Sequence, residues 1–308
     1  MRIAFLAAVA ALSCAASASF ELVMALDSDN HTVHRIDGER NIYLGNFGAN
    51  RLVNPSAMAI QQSANKAHVY DPYLRSVVSF DYNTGEKVGE AAMPSYGYAT
   101  LGLANNGDFL VGDFFSASAR RYSQGGILSA IFTAPAGSTG TRAMMQATDG
   151  NYYVAWAGSN VITRHNASGT LLATVTSAST SIADSRQMFI QNSQVVISGG
   201  NSGKYVRMTY SNTTSWGPMI ETSVNTYAYG VSAGHFSTIY ASGYSTLNSA
   251  SVYSYSLTTG YQTSSYTVPG AGTIVALGTV VAPEPQTITG MLAAGLVGLM
   301  ARRKRRAK

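Results

Sequence analysis

The chain is nearly devoid of cysteine. Cys14 is the only one in 308 residues, which excludes an intramolecular disulfide, a cysteine-based zinc site and a C-x-x-C redox motif. Charge is scarce too. Asp, Glu, Lys and Arg make up 11% of the chain, against about 25% in typical soluble domains. The net charge of +5 is concentrated at the ends: Arg2 and the six basic residues after Ala301 leave 13 basic and 14 acidic groups in residues 19–282. A near-neutral middle is not a nucleic-acid footprint. The five histidines, His31, His34, His68, His165 and His235, lack zinc-type spacing. No G-x-S-x-G, Walker or dinucleotide glycine motif is present, so catalysis has no positive sign. No long amphipathic helix is written between residues 19 and 282.

The two ends carry addresses. Arg2, an apolar run over residues 3–12 and the small-residue site Ala16-Ser17-Ala18 predict a signal peptide over 1–18, formed as a helix and removed by signal peptidase. Cys14 raises lipidation as an alternative, against which Leu12 places a bulky side chain where a small one is wanted. At the other end, Pro283-Glu284-Pro285 precedes an uncharged apolar run, 286–301, and the basic stop Arg302-Arg303-Lys304-Arg305-Arg306. The run is short beside the ~20 residues that cross a bilayer as a helix. The basic cluster would stay cytoplasmic. A simple membrane anchor is one reading. The three-part arrangement over 283–308 resembles the PEP-CTERM sorting signal of Gram-negative surface proteins. That resemblance implies a membrane helix before processing, recognition by an exosortase-type enzyme near Pro-Glu-Pro, and a final place at the cell surface or outside the cell.

The middle repeats, and the repeat decides the fold. Six segments each pair an apolar strand, ending near a small or acidic residue, with a second alternating strand: 22–27 and 32–38, 68–71 and 76–81, 109–113 and 119–122, 152–156 and 161–165, 194–198 and 205–210, 238–242 and 251–256. Their closing turns, Gly38, Gly85, Gly126, Gly169, Ser215 and Gly260, lie 47, 41, 43, 46 and 45 residues apart. A period of roughly 40–50 with four short strands per unit predicts an all-β, six-bladed β-propeller over 19–282. Its units fall near 21–48 with 272–281, 57–92, 100–134, 144–178, 187–222 and 230–268. The first unit lacks an inner strand, and the orphan strand at 272–278 is expected to supply it, closing the ring and hiding two sheet edges. A pair of β-sandwiches is the alternative if that strand does not pair with residues 22–26. The repeat is similar to propellers of the NHL/YVTN type, a resemblance that implies architecture alone.

Three features are candidates for chemistry. Asp27, Asp71 and Asp113 recur at one repeat position, on the face where blades connect. Converging, they would offer oxygen ligands to calcium; singly, each would cap its own turn. Arg35, Arg121 and Arg164 share a position on the third strand that fits a solvated face or a pairing at the blade edge. Nineteen tyrosines mostly answer to strand propensity and core filling. Tyr244 and Tyr261 are singled out as carbohydrate-stacking candidates in the Tyr-dense sixth unit. The expected function is a non-catalytic binding or scaffold protein associated with extracellular polysaccharide. The alternative is a secreted glycan lyase or lactone hydrolase with a calcium-bearing top face.

Overall fold

The computed structural model describes residues 19–94, 96–176, 185–191, 194–198, 204–209, 220–223, 227–234, 238–244, 251–256, 258–259 and 261–283. They form six four-stranded antiparallel sheets. Blade one holds β1 (Ser19–Asp27), β2 (Thr32–Asp37) and β3 (Ile42–Phe47), with β24 (Ile274–Pro283) at its inner edge. Blade two is β4 (Ala57–Gln61), β5 (Lys66–Asp71), β6 (Ser76–Asp81) and β7 (Lys87–Ala92). Blade three is β8 (Ala99–Leu103), β9 (Phe109–Asp113), β10 (Ala119–Tyr122) and β11 (Leu128–Phe132). Blade four is β12 (Gly140–Gln146), β13 (Tyr152–Ala157), β14 (Val161–His165) and β15 (Leu171–Thr176). Blade five is β16 (Met188–Gln191), β17 (Gln194–Ser198), β18 (Lys204–Thr209) and β19 (Ile220–Ser223). Blade six is β20 (Tyr227–Ala233), β21 (Thr238–Tyr244), β22 (Ser251–Ser256) and β23 (Gln262–Thr267).

The expected closure is present. β24 pairs with β1 from Ser19↔Pro283 to Asp27↔Ile274. The inner strands then touch in the cyclic order β24, β4, β8, β12, β16, β20 and back to β24. The chain is an all-β propeller. Two inner strands start earlier than the repeat predicts, at Gly140 and Tyr227, and each carries a one-residue register shift near its start. The closing strand also runs further, to Pro283, the first residue of the expected sorting motif. The expected signal helix at 1–18, membrane helix at 286–301, Glu284, Pro285 and the basic stop lie outside the described residues. Among the described residues no helix is long and apolar enough to cross a membrane; the regular helix there is one 3-10 turn, Gln62–Ala64.

Successive side chains of a strand point to opposite faces, so each inner sheet feeds two cores. In β1, Leu22, Met24 and Leu26 pack toward blade two against Met58, Val69 and Phe80. Val23 and Ala25 pack toward blade six against Tyr240 and Val252. The same alternation fills every junction round the ring, and each large apolar side chain so buried contributes ~1.5–3 kcal/mol. The repeated arginines staple junctions: Arg35 donates to Asn83 O of blade two at 2.7 Å, and Arg121 to Tyr152 Oη of blade four at 2.7 Å. Gly102 lets β8 approach β12, since a Cβ there would meet the Met144 carbonyl oxygen.

Buried histidines organise single blades. His68 bonds Ser79 Oγ at 2.7 Å and Gln61 Oε1 at 3.1 Å. Burial, with Lys66 nearby, lowers its pKa to about 4, so the ring is neutral. In blade four, Trp156 Nε1 donates to Thr163 Oγ1 at 2.6 Å, and that hydroxyl also meets His165 Nε2 at 2.7 Å.

Candidate functional site

The repeated aspartates sit where the sequence places them, at the end of the second strand of a blade, but they do not converge. Among the described residues no group of three or more His, Cys, Asp or Glu side chains is arranged to hold a metal. Each carboxylate is already committed. Asp27 Oδ1 accepts the backbone N–H groups of Asp29 and Asn30, while Oδ2 accepts from Asn30 Nδ2, Gly272 N and His34 Nε2. His34 Nδ1 then takes the Tyr43 hydroxyl at 3.0 Å. Burial alone would raise the pKa of Asp27, but these hydrogen bonds outweigh it and bring it down to about 2. Asp71 Oδ1 accepts from Tyr73 and Leu74, and Oδ2 from Val53 and Asn54 of the incoming connection. Asp113 accepts from Phe115 N and Ser116 Oγ. The expected oxygen cluster is therefore replaced by three separate turn clamps.

What those clamps present is more informative. The turn held by Asp113 displays Phe114 and Phe115 at the blade-connecting face, with ring centroids 5.4 Å apart and planes at 78°. Tyr98 meets Phe115 edge-on at 6.0 Å. Tyr98 and Phe115 are 44% and 68% exposed, unusual for rings that could have packed inward. The connection that leads to Tyr98 is braced from below: the Tyr70 hydroxyl donates to Tyr96 O and accepts Tyr96 N. Burial pushes the Tyr70 pKa up to about 12, so this hydroxyl keeps its proton.

Two arginines close on the same ring. Arg142 Cζ lies 3.5 Å from the Phe114 centroid and Arg186 Cζ 5.6 Å from it, both within cation–π range. Arg142 is the additional residue of the β12 bulge between Thr141 and Ala143, and bulges re-aim side chains in this way. Its Nη1 also donates to Phe114 O at 2.8 Å. Gly140 permits that approach, since a Cβ there would meet the same carbonyl oxygen. Arg186 is set by Ser198, which occupies in blade five the repeat position that Asp71 fills in blade two. Its buried hydroxyl accepts the N–H groups of Arg186 and Gln187 at 3.0 and 3.2 Å.

Between these groups lies a cavity of about 280 Å³ lined by Ser56, Tyr98, Thr100, Phe114, Phe115 and Arg186. It is at the small end of ligand clefts, ~300–1,000 Å³, and has room for one sugar-sized ring. Among the described residues of its lining, Arg186 is the charged one. Arg186 also lines a second cavity of about 280 Å³ along the ring axis, bounded by inner strands of all six blades. Gln187 braces that channel. Its Nε2 donates to Met58 O and Leu277 O, and its Oε1 accepts Val231 N and Leu277 N. One amide thus ties blade five to blades one, two and six.

The structure does not bring Tyr244 and Tyr261 together. Tyr244 ends β21 at the blade-connecting side. Tyr261 follows β22 at the other end of blade six and is 78% exposed. The Tyr244 side chain lies outside the described residues. Sequence reasoning missed Tyr98, Phe114, Phe115, Arg142 and Arg186. One signal was available: an aromatic pair directly after Asp113 at a turn tip, where strand propensity does not call for it.

No protein-family model and no curated protein matches the chain. Solved structures do. A protein of unknown function from Bacteroides caccae aligns with 85% of this chain and 99% of its own, at TM-score 0.63 and 11% identity. A chain of a nidogen/laminin complex aligns with 84% of this chain and 98% of its own, at TM-score 0.68 and 13% identity. A streptogramin B lyase aligns with 70% of this chain and 69% of its own, at TM-score 0.54 and 16% identity. At such identities the likeness is one of fold, and it accords with the propeller architecture.

Proposed function

We propose that the protein is an exported, cell-surface or matrix propeller that binds extracellular polysaccharide on its blade-connecting face and does no chemistry of its own. The observation that carries this reading is the cleft of Tyr98, Phe114 and Phe115 over Arg142 and Arg186. Exposed aromatic faces stack on the C–H faces of sugar rings, and guanidinium groups bond their oxygens. Export and sorting rest on the signal-type start and on the PEP-CTERM-like end. On this reading signal peptidase and an exosortase-type enzyme act on the two ends, which the Ser19↔Pro283 pairing sets side by side in one blade. The competing reading is a calcium-dependent glycan lyase or lactone hydrolase, and it would need carboxylates, which are not among the described residues that line the cleft.

The test is titration calorimetry of the protein with neutral and acidic oligosaccharides. Tyr98→Ala combined with Phe115→Ala removes two exposed rings, so the fold is expected to survive. Affinity should fall at least about tenfold, the loss of two stacking contacts. Wild-type affinity in a folded double variant would remove this face from the account.

A further inference from the structure

We infer that the binding face continues from the cleft onto blade two, where Tyr73 forms a second aromatic platform, so that the ligand is a run of several sugars within a polysaccharide chain. This inference rests on the glycan-binding reading of the same face and deepens it to the length of chain that the face reads.

The second platform comes from the repeat. Tyr73 lies two residues after Asp71, and Phe115 two residues after Asp113. Each backbone N–H donates to Oδ1 of its aspartate, at 3.0 and 2.9 Å. The same clamp therefore presents a ring at the same turn of two neighbouring blades, and Tyr73 is 73% exposed. In the flanking blades one and four the equivalent residues are Asp29 and Gly158, so the pair of rings ends on both sides. The surface between the two rings is continuous. The buried Asp71 carboxylate also holds Val53 N and Asn54 N, which draws the connection from blade one against the Tyr73 turn. Val53 and Leu74, on the two segments it holds, are exposed as well. Arg75 O accepts Met93 N at 2.8 Å, and Phe114 N donates to Tyr98 O at 2.9 Å. The connection 93–98 thus runs from the Tyr73 turn to the Phe115 turn, with Tyr98 edge-on to Phe115. Rings held on clamped turns lose little freedom when a ligand covers them. Sheets packed face to face stand about 10 Å apart, farther than one sugar ring spans, so it takes a chain to reach both platforms. A repeating ligand meets a repeating surface, and its second contact forms as an intramolecular step.

The experiment uses the full chain and size-fractionated oligosaccharides, from disaccharide to octasaccharide, made by partial acid hydrolysis of extracellular polysaccharide from the protein's source. The intact polysaccharide serves as reference. Titration calorimetry should show affinity rising with length by about threefold to tenfold, the gain of one stacking contact, and levelling once both platforms are covered. Tyr73→Ala changes an exposed side chain outside the cleft lining, so the fold is expected to survive. It should abolish the gain for the longer fractions while the shorter ones bind as before. Tyr73→Phe keeps the ring and should keep the gain. Equal affinity at all lengths, a gain that persists undiminished in Tyr73→Ala, or a gain that Tyr73→Phe loses would overturn the inference and leave glycan binding in the cleft standing. Binding of neither the oligosaccharides nor the intact polysaccharide would overturn both.

Discussion

Asp27 gives the sharpest stability prediction. Its carboxylate is fully buried at the point where the ring closes, and one oxygen holds Gly272 of the connection into β24. In the folded protein its pKa falls from 3.8 to about 2. At ~1.4 kcal/mol per pKa unit, that fall is worth about 2 kcal/mol of folding stability. The folded value lies below the unfolded one, so the contribution is complete above pH ~4 and is lost as pH falls toward 2. Asp27→Asn cannot ionise, and its amide N–H2 would face the donors of Asn30, Gly272 and His34. Urea unfolding followed by fluorescence of buried Trp156 should show the variant at least about 2 kcal/mol less stable at pH 7. The gap should shrink by about that amount between pH 5 and pH 2. A constant gap across that range, or a gap below ~0.5 kcal/mol at pH 7, would refute the reasoning.

His68 acts in a separate window. It is buried and neutral with a pKa of about 4, so the unfolded chain takes up its proton first and stability should fall as pH drops from ~6.5 to 4, by up to ~3 kcal/mol. His68→Gln should flatten that segment of a stability–pH curve. Gln187→Leu removes four hydrogen bonds to backbone groups of blades one, two and six; channel water recovers part of them, and urea unfolding should register a loss of ~2–3 kcal/mol. Thr163→Val leaves the Trp156 indole N–H buried without its acceptor, which thermal unfolding should show as a loss of ~1–3 kcal/mol.

The ring was legible because its physics repeats. Two-residue alternation at 22–26 feeds cores on both faces, and the same pattern returns with each blade, so even the pairing of β24 with β1 could be expected from an unpartnered strand at the far end. Bulges were not legible. The additional residue at Arg142 turns a charged side chain onto Phe114, and nothing in the local composition marks it. The recurrent aspartates were visible as a position, while their role depended on where the neighbouring N–H groups fell. In Asp71 both oxygens serve two segments of backbone at once, which leaves nothing for a metal. The cleft and the arginines beside it are assembled from residues 56, 98–100, 114–115, 142 and 186, segments that share no motif and come from blades two to five. Tyrosine density pointed to blade six; exposure and grouping of rings point to blade three.

The central claim is that this propeller binds polysaccharide through the cleft and leaves the polymer intact. The direct measurement mixes the purified protein with extracellular polysaccharide from its source and follows the polymer by size-exclusion chromatography with light scattering. Co-elution at unchanged polymer mass, lost in the Tyr98→Ala, Phe115→Ala variant, is the predicted result. A falling polymer mass, or separate elution of protein and polymer, would contradict it.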